Sequence, residues 1–147
     1  MPKEVNFIVA TDENCSELAT FNKDLIDSGG SYNTMSIQEL EKRMSDFLAS
    51  GYIAIIFEVE GVHIGYALVA KNEIPMFIRH YFIVEKYRRQ GYGTAAFKKL
   101  LCFLRVDRID LSVLVSNDIG FKFWTSCGLV PYEVFMHYRG DGIISDK

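Results

Sequence analysis

The run Arg88-Arg89-Gln90-Gly91-Tyr92-Gly93-Thr94 combines residue types and spacing that can do chemistry. It falls where an apolar strand pattern ends and a long helical pattern begins. Glycines at 91 and 93 let the backbone approach a ligand with no Cβ in the way. The first amides of a helix have no partner inside it and point outward, and the helix dipole adds about half a positive charge there. A pyrophosphate fits such a cradle, and Arg88 and Arg89 supply full charges. The plain structural alternative is a glycine turn with exposed arginines that ties strand to helix and binds nothing. The run lacks the Lys-Ser/Thr of a P-loop, and Gly93-Thr94-Ala95-Ala96 lacks the third glycine of a dinucleotide fingerprint.

The elements that must position this loop follow from hydrophobic period. Val5 to Ala10 reads as a strand, followed by a helix from Asn14 to Ile26 with Leu18, Phe21, Leu25 and Ile26 on one stripe. Asp27-Ser28-Gly29-Gly30 ends it, with glycine supplying a left-handed turn. Ser36 and Glu39 form a capping box for a second helix, with Met35 and Leu40 as its hydrophobic staple. Tyr52 to Val59 and His63 to Ala70 flank the turn Glu60-Gly61 as arms of a hairpin. Phe77 to Val84 is apolar nearly throughout, as a strand covered on both faces should be. A helix over 91–106, a strand over 109–115, a short helix over 117–127 ending at Gly128, and a last alternating strand from Tyr132 to Tyr138 complete the order. Strand, helix, strand over 77–115 is a right-handed crossover joining two parallel strands.

Composition narrows the class. A chain of 147 residues with 49% hydrophobic and 24% charged side chains is ordinary for one globular α/β domain, read here as spanning 1–147 with a mobile tail over 139–147. A net charge of -3 gives no electrostatic footprint for nucleic acid. Cys15, Cys102 and Cys127 lie far apart without a C-x-x-C pair, which argues for reduced thiols in a cytoplasmic protein and against a zinc site, so no metal is expected. The start has no signal-peptide pattern, and the aliphatic run Ile53 to Phe57 is far short of a membrane span.

With these elements in place, the residues resemble the GNAT superfamily of acyl-CoA N-acyltransferases. Arg88-x-x-Gly91-x-Gly93 is similar to its Q/R-x-x-G-x-G/A signature, and Phe82 to Tyr87 looks like the strand that leads into it. Asn117-x-x-Gly120-x-x-Phe123-Trp124-x-x-x-Gly128-Leu129 resembles a second block, N-x-x-A-x-x-F-Y-x-x-x-G-F. The resemblance implies an α/β GNAT-like fold with a mixed central sheet of about six to seven strands and about four flanking helices. It implies acetyl-CoA as co-substrate and a small-molecule or peptide amine as acceptor; a homodimer is common in the family. Carried over by position, the backbone of Phe82, Ile83 and Val84 would pair with the pantetheine arm like an added strand. Amides from Arg88, Arg89, Gln90, Gly91, Tyr92, Gly93 and Thr94 would hold the pyrophosphate. Asn117 would hydrogen-bond the pantetheine, unless it only caps its helix, and Phe123 would line its far end.

The implied chemistry is direct attack of an amine on the thioester. An alkyl ammonium, with a pKa near ~10, must first lose a proton. Many members of the family place a glutamate on the fourth strand for this purpose, but the matching stretch here is Arg79-His80. His80 is therefore the candidate base, because imidazole titrates near neutral pH, unless it only packs or contacts substrate; Glu73, on a turn just before the strand, is an outside candidate. The family's tyrosine acid is Trp124 here, which leaves Tyr132, or departure of the thiolate without an acid. The missing glutamate and tyrosine also suit a non-catalytic acyl-CoA sensor, and the glycine loop alone suits a small nucleotide- or phosphate-binding module.

Overall fold

A computed structural model describes residues 2–29 and 32–140. In chain order the elements are β1 (Asn6–Val9), α1 (Cys15–Ser28), α2 (Ile37–Ala49), β2 (Tyr52–Val59), β3 (Val62–Ala70), β4 (Met76–Ile83), α3 (Tyr92–Leu104), β5 (Ile109–Leu111) and α4 (Asp118–Ser126). One sheet runs in the order β1-β2-β3-β4-β5. Its first three pairings are antiparallel and β4–β5 is parallel.

Helices cover both faces, and the period-two pattern of β2 shows how. Ala54 and Ile56 pack with Leu18 of α1 and Met44 of α2, while Ile55 and Phe57 pack with Ala96, Phe97 and Leu100 of α3. Strands so covered must be apolar on both faces, which accounts for the nearly continuous hydrophobic runs of β2 to β4. The β2–β3 hairpin closes through Glu60 and Gly61, both left-handed at φ of 50° and 80°, a turn whose twist matches that of the strands. The Ser36–Glu39 capping box forms as expected: Ser36 Oγ accepts from Glu39 N at 3.2 Å and Ser36 N donates to Glu39 Oε1 at 2.9 Å.

Three expectations need correction. The first helix continues through Asp27 and Ser28, which were expected to end it, and Gly29 beyond it has a φ of -96°, so Gly29 supplies no left-handed turn; Gly30 and Ser31 lie outside the described residues. Among the described residues the sheet has five strands, because the expected strand Tyr132 to Tyr138 pairs with nothing. Its apolar side chains Tyr132, Val134, Phe135, Met136 and Tyr138 are all exposed. Alternation signals a strand only where another edge accepts its hydrogen bonds. Finally, β5 stops at Leu111, short of the expected Val115. The expected mobile tail lies outside the described residues from 141 onward. Among the described residues, no helix is long and apolar enough to cross a membrane.

Candidate active site

The short β5 shapes the site. Only Met76, Phe77 and Ile78 of β4 pair with it, opposite Ile109, Asp110 and Leu111. From Arg79 to Ile83, β4 keeps β3 on one side and has no strand on the other among the described residues. The β3–β4 register shifts between Leu68 and Val69, which leaves Arg79 of β4 as the extra residue of a β-bulge, just where β4 and β5 begin to part. The result is a wedge with its apex at Ile78.

Strand alternation assigns the backbone groups along the open edge. Val84 N donates to Ile64 O of β3 at 2.7 Å, so Phe82 and Val84 turn their backbone toward β3 while Tyr81 and Ile83 turn theirs into the wedge. Two contacts agree: Phe82 O would lie 2.0 Å from a Cβ on Gly65, and Ile83 O accepts from Arg88 Nε at 2.7 Å on the far side. Of the three residues expected to pair with a ligand arm, Ile83 alone faces the gap, joined by Tyr81.

The loop after β4 begins with a single helical turn, Glu85–Tyr87. Arg88 then folds back, its guanidinium 5.4 Å from the Phe82 ring centroid. Gln90 donates to Lys86 O at 2.9 Å, and Arg89 is exposed with a left-handed φ of 58°. Gly91, at φ 89°, is the N-cap of α3, and the helical ladder opens with Ala95 N to Gly91 O at 3.0 Å. The amides of Tyr92, Gly93 and Thr94 therefore precede the ladder, where an anion can take them. The two glycines do different work. Gly91 supplies the left-handed turn, whereas Gly93 admits the Phe123 ring, whose Cε1 would lie 3.0 Å from an added Cβ.

Helix α4 closes the other wall. Asn117 caps it, its Oδ1 accepting from Gly120 N at 2.9 Å, which leaves the Nδ2 group to donate elsewhere. Phe123 and Trp124 pack on Tyr81 with centroids 6.0 and 4.9 Å away. The Tyr81 hydroxyl donates to Gly93 O at 2.6 Å, and burial holds its pKa well above the usual phenol range. Tyr81 thus joins strand, loop and α4, a role that its place in an apolar strand did not signal in sequence.

His80 lies on the opposite face, buried under α2. Its Nδ1 meets the Tyr66 hydroxyl at 3.0 Å, and its ring stands edge-on to Phe47 at 6.0 Å. Burial above all, then the charges of Arg43 and Arg79, lowers its pKa to about 3. Such an imidazole stays neutral at pH 7 and takes up a proton poorly. Arg43 and Arg79 both lie over Phe47, 5.5 and 4.9 Å from its centroid, and Arg43 also donates to buried Asn22 at 3.1 Å. Tyr132 is 92% exposed on the unpaired C-terminal segment.

The comparisons agree with this geometry. The sequence profile of the acetyltransferase (GNAT) family matches residues 18–129, which span both walls of the wedge. No curated protein matches the sequence. Among solved structures, the aminoglycoside 6'-N-acetyltransferase of Acinetobacter haemolyticus superposes with a TM-score of 0.73 at 13% identity, covering 91% of this chain and 97% of that one. A predicted acetyltransferase of Clostridium acetobutylicum with acetyl-CoA gives 0.71 at 16% identity, over 92% and 96% of the two chains. An aminoglycoside N-acetyltransferase in complex with CoA gives 0.71 at 15% identity, over 95% and 96%. At these identities the structures speak for the fold, and the profile speaks for descent. The chain belongs to the acetyltransferase (GNAT) family.

Proposed function

We propose that this acetyltransferase, acting as a single catalytic domain, moves the acetyl group of acetyl-CoA to a primary amine. One observation carries the reading: the unpaired edge of β4 leads through a single helical turn into the glycine loop at the start of α3. A coenzyme with an amide-bearing arm and a diphosphate needs both features in that order. Tyr81 and Ile83 would pair with the arm as an added strand does. Amides of 92–94 and the guanidinium groups of Arg88 and Arg89 would hold the diphosphate. Asn117 Nδ2 would donate to the arm from the opposite wall. Two structural neighbours bear CoA or acetyl-CoA in the same fold, which supports the choice of ligand.

An arm laid along the edge brings its thioester to the apex, beside the bulge at Arg79. There the amine nitrogen forms a bond to the carbonyl carbon, the C–S bond breaks, and the electron pair leaves with sulfur. A free β4 amide at the bulge would steady the developing oxyanion. The thiolate, from a thiol of pKa about 8.5, departs without an acid, so Tyr132 need not reach the site. The ammonium proton passes to solvent at the wedge mouth. Neutral, buried His80 anchors Tyr66 beneath the bulge and is a positioning residue in this reading.

Calorimetry on Gly91→Glu tests the assignment. Glutamate at φ 89° is strained and sets a negative charge where the diphosphate would lie. Acetyl-CoA affinity should fall at least tenfold with the fold retained; wild-type affinity in a folded variant would remove the diphosphate site from this loop.

A further inference from the structure

The charges on the α2 face, next to Ile78 in the chain, bear on the acceptor. Arg79 is exposed, sits at the bulge and lays its guanidinium over Phe47. Among the described residues, no ion pair includes Arg79. Arg43 reaches the same aromatic ring from α2, so two guanidinium groups share one small surface. Among the described residues, the charges that act on His80 are those of these two arginines. A polycationic acceptor such as an aminoglycoside would meet like charge here. A planar carboxylate, in contrast, accepts two parallel N–H bonds from a guanidinium.

We infer that the acceptor is an amine carrying a carboxylate close to its nitrogen, of amino-acid type, and that Arg79 at the β4 bulge binds that carboxylate. The inference rests on the proposed use of the wedge, because the apex at Ile78 places the reacting thioester beside Arg79. It also bears on deprotonation. Pairing the carboxylate with Arg79 cancels the negative charge that would otherwise hold the ammonium proton, and the adjacent cations favour the neutral amine. The site then needs no carboxylate base. Arg79 is a specificity residue in this scheme, with its main effect on KM for the acceptor.

The test compares amino acids with their α-carboxamides, identical but for the charge, in a thiol-release assay with acetyl-CoA. Wild-type kcat/KM should favour the carboxylate member of a pair by at least tenfold, mostly through KM. In Arg79→Gln that ratio should fall to about one, and in Arg79→Lys it should recover in part, while acetyl-CoA affinity by calorimetry stays within twofold of wild type. A wild-type preference for carboxamides or polyamines, or a ratio unmoved in Arg79→Gln, would overturn the inference and leave the transferase reading standing. Loss of acetyl-CoA binding in the wild-type protein would instead overturn that reading. Should no pair be turned over, the same pairs titrated into the CoA complex decide: equal affinities count against the inference as equal rates would.

Discussion

At the scale of the residue, His80 shows burial overriding a side chain's ordinary chemistry. Its type invites the role of base, yet the structure holds it neutral beside Tyr66, with a pKa of about 3 against 6.5 for the free group. The sign of the linkage follows. Below about pH 6.5 the unfolded chain takes up a proton that the folded chain refuses down to about pH 3, so acidification through this window costs stability. Each pH unit is worth at most about 1.4 kcal/mol. Urea unfolding across the window should show a shallower loss toward acid for His80→Gln than for wild type; parallel profiles would contradict the burial argument. The chemistry legible in sequence at this scale was that of the loop, where residue type, glycine spacing and position between elements agreed. The contacts of Tyr81, Tyr66 and Arg79 were not legible, because each depends on what another part of the chain brings against it.

At the scale of the element, local signals and pairing divide in the same way. The turn Glu60-Gly61 and the Ser36–Glu39 box formed as expected because their hydrogen bonds close within a few residues. The β3–β4 pairing instead depends on a contact between distant residues: a Cβ on Gly65 would sit 2.0 Å from Phe82 O. Gly65→Ala should therefore force the strands apart and cost roughly 2–3 kcal/mol. Differential scanning calorimetry should show the melting temperature falling by several degrees; a variant as stable as wild type would mean that this approach relaxes freely. Splaying of β4 from β5 was beyond local reading as well. It depends on where β5 stops, and the apolar pattern ran on to Val115 although the pairing ended at Leu111.

At the scale of the molecule, α1 and α2 cover one face of the sheet and α3 covers the other, and the wedge opens where β4 loses its outer neighbour. A coenzyme seated there would touch β4, the loop and α4 together, so binding should stabilise the folded state as a whole. At one hundred times its dissociation constant, acetyl-CoA should add about 2.7 kcal/mol, raising the melting temperature by roughly 5–10 °C. Pantetheine, which lacks the diphosphate, should do much less at equal concentration. No shift at millimolar acetyl-CoA would count against the wedge as the binding site.

By itself the sequence determined which segments are helix and strand through most of the chain, where the glycine turn between β4 and α3 lies, and the family to which both motif blocks point. Those properties depend on hydrophobic period, capping and glycine spacing, all of which act over a few residues. The tertiary structure alone decided which backbone groups of β4 stay unpaired, that the imidazole of His80 is neutral, and that two arginines converge on Phe47. Each of these is a matter of proximity between residues far apart in the chain, and proximity sets both hydrogen-bond partners and local charge.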